Sequence, residues 1–260
     1  MKISDGDYSF LLESVEGGEK WARYCFLGCD PAVVVSSKGR NITIDENGKR
    51  QQIKIESGTP LSAIKEILAR YNPVDVPGLP RFSGGAVGFI SYDMVRFFED
   101  LPENTVDDLN VPDSQFIITD TMLVFDNISQ TIKMVSNAFI ESDNLDEVYE
   151  QTIKKIGLLE EKLKTPLKIS TQANEEVVQP KFKSNFEKEK FKGAVDKVKQ
   201  YILEGDAIQV VLSQRLSFDI KKQAFDIYRA LRTVNPSPYM YSCSLAILGW
   251  WAGPLKFWCG

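Results

Sequence analysis

The sequence predicts an α+β fold with several antiparallel strands. Three observations carry this: short apolar runs bounded by turn residues fill the first 165 residues, a hairpin dipeptide separates two alternating segments, and two stretches show helical periodicity. YSFLLES, WARYCFLG and AVVVSS are strand segments, with EGGEK as the turn after the first. ITI and IKI alternate on either side of Glu46-Asn47-Gly48, and Asn-Gly is the strongest short hairpin signal. Leu61, Ile64, Ile67 and Leu68 then share one helical face, with Pro60 near its start.

FSGGAVGFISYD is glycine-rich, then apolar. FIITDTMLVFDNISQTIKMVS reads as two strands around Asp126-Asn127, and Leu145 to Leu163 as a charged amphipathic helix. Residues 165–183 carry two prolines and little ordered pattern, which predicts a linker. Beyond it, Ser184 and Glu187 have capping-box spacing, and Phe191, Ala194, Val195, Val198 and Ile202 stripe one face up to a stop at Gly205. GDAIQVVLSQRLSFDI predicts one long strand, with even positions from Ile208 to Ile220 apolar except Gln214. A lone amide on such a face needs a partner in the protein or a ligand. AFDIYRALRTV is a further helix, ended by Asn235-Pro236.

A chain of 260 residues allows one large or two modest domains. Its 43% hydrophobic and 26% charged residues are those of a soluble globular protein, and the net charge of −5 argues against a nucleic-acid surface. MKISDGDYSF lacks a charged n-region and an apolar h-region, so the expected setting is the reducing cytoplasm. Cys25 and Cys29 form a C-x3-C pair with no second pair nearby, which is weak ground for a metal or redox site. The absence of histidine removes His-dependent nucleophile activation and the commonest metal ligand.

SGGAVG lacks the Gly-Lys-Ser/Thr ending of a phosphate loop, so close backbone packing is the better reading. Glu13 and Ser14 offer either a polar ligand contact or an exposed strand end. In NPSPYM two prolines fix the backbone around Ser237 and an apolar pair follows, Tyr239 and Met240. That suits the wall of a small pocket, and it equally suits a plain turn.

The blocks SFLLESVEGGEKWARYCFLG, GGAVGFISYDMVRFFE, GDAIQVVLSQR and YRALRTVNPSPYMY, in this order between residues 7 and 241, resemble component I of anthranilate synthase. Aminodeoxychorismate synthase component I shares much of this framework, but LLES together with NPSPYM looks more like the anthranilate enzyme. The resemblance implies an antiparallel two-sheet sandwich with flanking helices, incomplete here. It implies conversion of chorismate to anthranilate and pyruvate, with Mg2+ and with ammonia from a glutamine amidotransferase partner. It also implies feedback inhibition by L-tryptophan at Ser14, with Glu13 beside it, and at Pro238, Tyr239 and Met240. The division it implies is an amino-terminal region over 1–164, a linker over 165–183 and the beginning of a chorismate-binding domain over 184–241.

The family's SPE-x-L and later blocks, with its Mg2+ glutamates and catalytic histidine, have no counterpart here, so the chain alone is expected to be inactive. Ser242 to Gly260 instead holds one charged residue, Lys256, and three of the four tryptophans. Codons compatible with Gly249–Gly260, read two bases out of phase, permit VVGRSPEVLVR, the family's next motif. Residues 242–260 are therefore expected to be a frameshifted tail. A membrane anchor is the poorer reading, because Gly249, Gly253, Pro254 and Lys256 interrupt the apolar run. The alternative of another class is a non-catalytic module that keeps a tryptophan or amidotransferase surface. Binding by such a fragment is expected to be weak or absent, since a sandwich cut mid-sheet leaves unpaired edges.

Overall fold

The computed structural model describes residues 3, 6–14, 23–140, 143–166, 179–220 and 222–246, with the backbone of 248–252. The EGGEK turn, most of the expected linker and residues 253–260 lie outside these. Two compact units divide the chain: residues 1–167 with 224–260, and residues 168–223. The segment 224–241, expected in the second region, falls in the first unit. The reason is its strand pairing with the chain's first strand.

The larger unit is an antiparallel sandwich, as the fold class anticipates. Its first sheet contains β1 (Tyr8–Glu13), β2 (Tyr24–Cys29), β8 (Thr121–Asp126), β9 (Thr131–Ser136), β12 (Met240–Leu245) and β13 (Leu248–Ala252), in the order β13-β12-β1-β2-β8-β9. The second contains β3 (Val33–Lys38), β4 (Asn41–Glu46), β5 (Lys49–Lys54), β6 (Gly85–Ile90) and β7 (Ser114–Thr119), in the order β5-β4-β3-β7-β6. Ser242–Leu245, inside the expected out-of-frame tail, extend β12 and register against Leu11 to Tyr8 of β1.

Strand alternation sorts the side chains into three apolar layers. Between the sheets, Phe10, Met122, Val124, Val135, Cys243 and Leu245 of the first meet Val87 and Ile117 of the second. On the outer face of the second sheet, Val33, Val35, Ile42 and Ile44 receive Ala63, Ile64 and Ile67 of helix α1 (Leu61–Leu68). On the outer face of the first, Leu27, Cys29 and Leu123 pack with Ile3 and with Leu159 of α2 (Leu145–Lys164). Lys155 of α2 reaches the buried Asp120 at 2.6 Å, and Lys162 reaches Asp30 at 3.2 Å.

Three local signals act as the sequence reads. Asn47 and Gly48 take positive φ, 52° and 80°, between β4 and β5, as a two-residue hairpin needs. Gly88 lets β6 approach β7 so closely that an added Cβ would collide with the backbone carbonyl of Gln115. Gly205 caps the helix before it with φ 85°.

Other expectations need correction. FIITDTMLVFDNISQTIKMVS supplies three strands rather than two, because the chain passes from the second sheet to the first at Asp120. In the smaller unit the long strand is not formed: only Leu216–Ser217 (β11) pairs, with Lys183–Ser184 (β10). A strand needs a neighbour for its amides and carbonyls, and only a two-residue one is at hand. Gln214 is accordingly exposed and accepts the Ser184 hydroxyl at 3.1 Å, rather than standing alone on a buried face. That serine does not cap α3 (Lys188–Glu204). Its oxygen accepts the Phe186 N–H at 3.1 Å, a local turn that competes with capping, and Glu187 takes the cap position. The stripe from Phe191 to Val198 is half-buried, Ile202 is exposed, and no residue of α3 is buried.

Two outcomes test this architecture. Gly88→Ala must force β6 from β7, so thermal unfolding should show a loss of about 1–3 kcal/mol; an unchanged Tm would contradict the close approach. Asp126 at the end of β8 accepts from Arg23 at 3.0 and 3.3 Å and from the N–H groups of Ile128 and Ser129. The Arg23 bond, chiefly, holds its pKa at about 2, below the ordinary 3.8. A depressed folded pKa contributes stability above the unfolded value that is lost as pH falls through the folded one. Arg23→Gln should therefore lower Tm at neutral pH, and the gap to the unaltered protein should narrow between about pH 4 and pH 2. A gap that stays constant across that window would rule out the linkage.

Candidate functional site

The two sequence segments singled out for ligand binding stand at opposite ends of the chain, and one ladder joins them. β1 ends at Glu13, whose Cα partner is Met240, the first residue of β12. Helix α4 (Ala224–Val234) runs into the NPSPYM loop, with the Asn235 N–H donating to Leu231 O at 2.8 Å. Ser237 is wholly buried, and its hydroxyl accepts the Tyr239 N–H at 3.1 Å, which fixes the turn between the two prolines.

Of the five expected residues, Glu13 and Met240 are brought together directly and Ser14 follows Glu13 at half-burial. Met240 is 2% exposed. Pro238 is exposed and Tyr239 is 74% exposed, so the apolar wall expected of Pro238 opens to solvent.

Glu13 is not an exposed strand end, the other reading the sequence offers. Its side chain is 7% exposed and accepts from the Tyr228 hydroxyl at 2.5 Å and from Arg232 Nε at 3.0 Å. Burial, followed by the Glu13 hydrogen bond, raises the Tyr228 pKa far above the phenol range, so the proton stays on the tyrosine. Tyr228 and Arg232 are one helical turn apart on α4, so both reach the same carboxylate. Sequence reading passed over both; the tyrosine–arginine spacing in YRALR was the available signal.

On the other face of the first sheet, alternation points Leu12, Tyr241 and Cys243 toward the space between the sheets. There they line a cavity of about 370 Å³ with Val87, Phe89 and Ser91. The cavity is apolar, and burial pushes the Cys243 thiol up to about 11, which leaves it uncharged. The Ser91 hydroxyl is buried without a hydrogen-bond partner among the described residues. Cys25 and Cys29 lie on β2, and the Cys29 thiol donates to the Ile3 carbonyl at 3.4 Å. Among the described residues no three His, Cys, Asp or Glu side chains converge to hold a metal ion, and no helix is long and apolar enough to cross a membrane.

The chorismate binding enzyme family matches residues 10–249. The chain is 40% identical over 246 residues to anthranilate synthase component 1 of Acetivibrio thermocellus, with 92% of this chain and 49% of that protein aligned. It is 38% identical over 250 residues to the protein of that name from Pseudomonas putida, with 93% and 49% aligned. The crystal structure of anthranilate synthase component I from Streptococcus pneumoniae TIGR4 superposes with a TM-score of 0.69 at 28% identity, over 87% of this chain and 49% of that one. The chain thus spans about half the length of the relatives it matches. An antiparallel sandwich, a matched span that runs from β1 through β12, and relatives of a single name all agree: this chain belongs to the chorismate binding enzyme family.

Proposed function

We propose that this chain is the amino-terminal part of a component I of anthranilate synthase, a lyase of tryptophan biosynthesis. The full-length enzyme would convert chorismate and ammonia to anthranilate and pyruvate in the cytoplasm, with a glutamine amidotransferase subunit supplying the ammonia. The observation that carries the reading is the β1–β12 register, which brings LLES and NPSPYM to one place. In this proposal Ser14 and the Pro238–Met240 loop receive L-tryptophan as feedback inhibitor: Ser14 supplies a hydroxyl and Met240 an apolar floor. Glu13 supports the site through its helix partners rather than through the ligand. Aminodeoxychorismate synthase component I is the competing identity; the names of the relatives favour the anthranilate enzyme.

On this reading the Mg2+ ligands belong to the remainder of the longer enzyme. A change of reading phase is part of the same proposal, set toward the end of the matched span because Ser242–Leu245 still pair with β1 and fall within that span. It requires the coding DNA to spell SPE-x-LV in the shifted frame, and its absence there would end the idea.

Calorimetry of the 260-residue chain with L-tryptophan should give a weak saturable heat. Ser14→Ala should weaken it about tenfold by loss of one hydrogen bond, and Met240→Ala should abolish it. No saturable heat would remove the inhibitor site. Incubated with chorismate, ammonia and Mg2+, the chain should leave anthranilate fluorescence at the blank; measurable product would refute its inactivity alone.

A further inference from the structure

We propose that Glu13, Tyr228 and Arg232 form a positioning clamp that sets the distance between the end of β1 and the NPSPYM loop, and so regulates ligand affinity there without touching the ligand. The second half of this statement rests on the tryptophan-site reading given above; the clamp itself rests on geometry alone.

The carboxylate of Glu13 is nearly sealed from solvent and accepts two hydrogen bonds from one helix, at 2.5 Å from Tyr228 and 3.0 Å from Arg232. A buried carboxylate left without donors is costly, so Glu13 holds the helix as firmly as the helix holds it. Tyr228 is 1% exposed and stacks on Phe225 with centroids 5.9 Å apart, so its hydroxyl has little freedom to seek another acceptor. Arg232 is half-exposed and closes the solvent side of the pair.

The position of these bonds gives them their effect. Asn235, the first residue after α4, still donates into the helix, and Ser237 is buried and bonded within the loop. Helix, loop and the start of β12 are therefore one continuous stiff piece. That piece meets β1 at two points, the Glu13–Met240 register and the Glu13 carboxylate. Both involve the same residue, immediately before Ser14. A shift of α4 is thus transmitted to the separation of Ser14 from Pro238 and Tyr239. Release of either donor lets the loop move while the sheets stay intact, because α4 contributes no residue to the three apolar layers.

The test uses the whole chain with Tyr228→Phe and, separately, Arg232→Gln. The second alters a half-exposed residue and keeps the test valid should the first disturb folding. Amide hydrogen exchange should quicken about tenfold in peptides covering 236–241, the scale of one hydrogen bond to a charged group, while peptides covering 33–54 keep their rates. The Kd for L-tryptophan should rise by a similar factor, with Ser14 and Met240 unaltered. Unchanged exchange in 236–241 for both variants overturns the clamp, as does a uniform quickening over the whole chain. Faster local exchange with an unchanged Kd overturns the regulatory role. If the unaltered chain gives no tryptophan heat, the tryptophan reading fails and the regulatory half with it, while local exchange still decides the clamp.

Discussion

The larger unit depends on a single strand receiving neighbours from the two ends of the chain. β1 pairs with β2, which follows it closely, and with β12, which arrives after more than 220 intervening residues. Backbone groups in the middle of a sandwich have no water to turn to, so β1 requires partners on both edges. Once β12 occupies its edge, Cys243 and Leu245 complete the inter-sheet layer around Phe10, and Met240 is carried to Glu13. The cavity on one face and the carboxylate cluster on the other are both products of this ladder. Leu12 belongs to the first and Glu13 to the second, adjacent in sequence and opposite in direction.

The covering helices are fastened by polar contacts at the corners of the sandwich. Asp120 marks the crossing from second sheet to first. Its carboxylate takes Lys155 of α2, and its carbonyl accepts from the Asn137 backbone at 2.7 Å and side chain at 3.2 Å. Ser37 and Ser114 join β3 to β7 through hydroxyls 2.7 Å apart. Such contacts contribute less than the apolar layers, but they are directional, and they determine where each layer stops.

What could be read from the sequence was what is local. The hairpin at Asn47-Gly48, the face of α1, the span of α2 and the cap at Gly205 all follow from turn chemistry or periodicity within a few residues. The segment Ile208–Ile220 has equally clear alternation yet is irregular except at β11, because alternation describes a face and a strand also needs an edge partner. The break at Asp120 was hidden for a related reason: strands on either side carry similar apolar runs, and only their membership of different sheets separates them. At the candidate site, the meeting of Glu13 with Met240 was reached only by resemblance to a family. The engagement of the Glu13 carboxylate was not legible from its own neighbourhood, since its donors lie 215 residues and more away.

The outermost strands of the second sheet are unlike each other. β5 reads KRQQIK and is exposed along its length, while β6 reads GAVGFI with no charged side chain. Charge on a rim strand repels an approaching chain, and β6 has none to offer. Of the two borders of this sheet, β6 is therefore the one whose backbone groups an extended chain can join without meeting a charge.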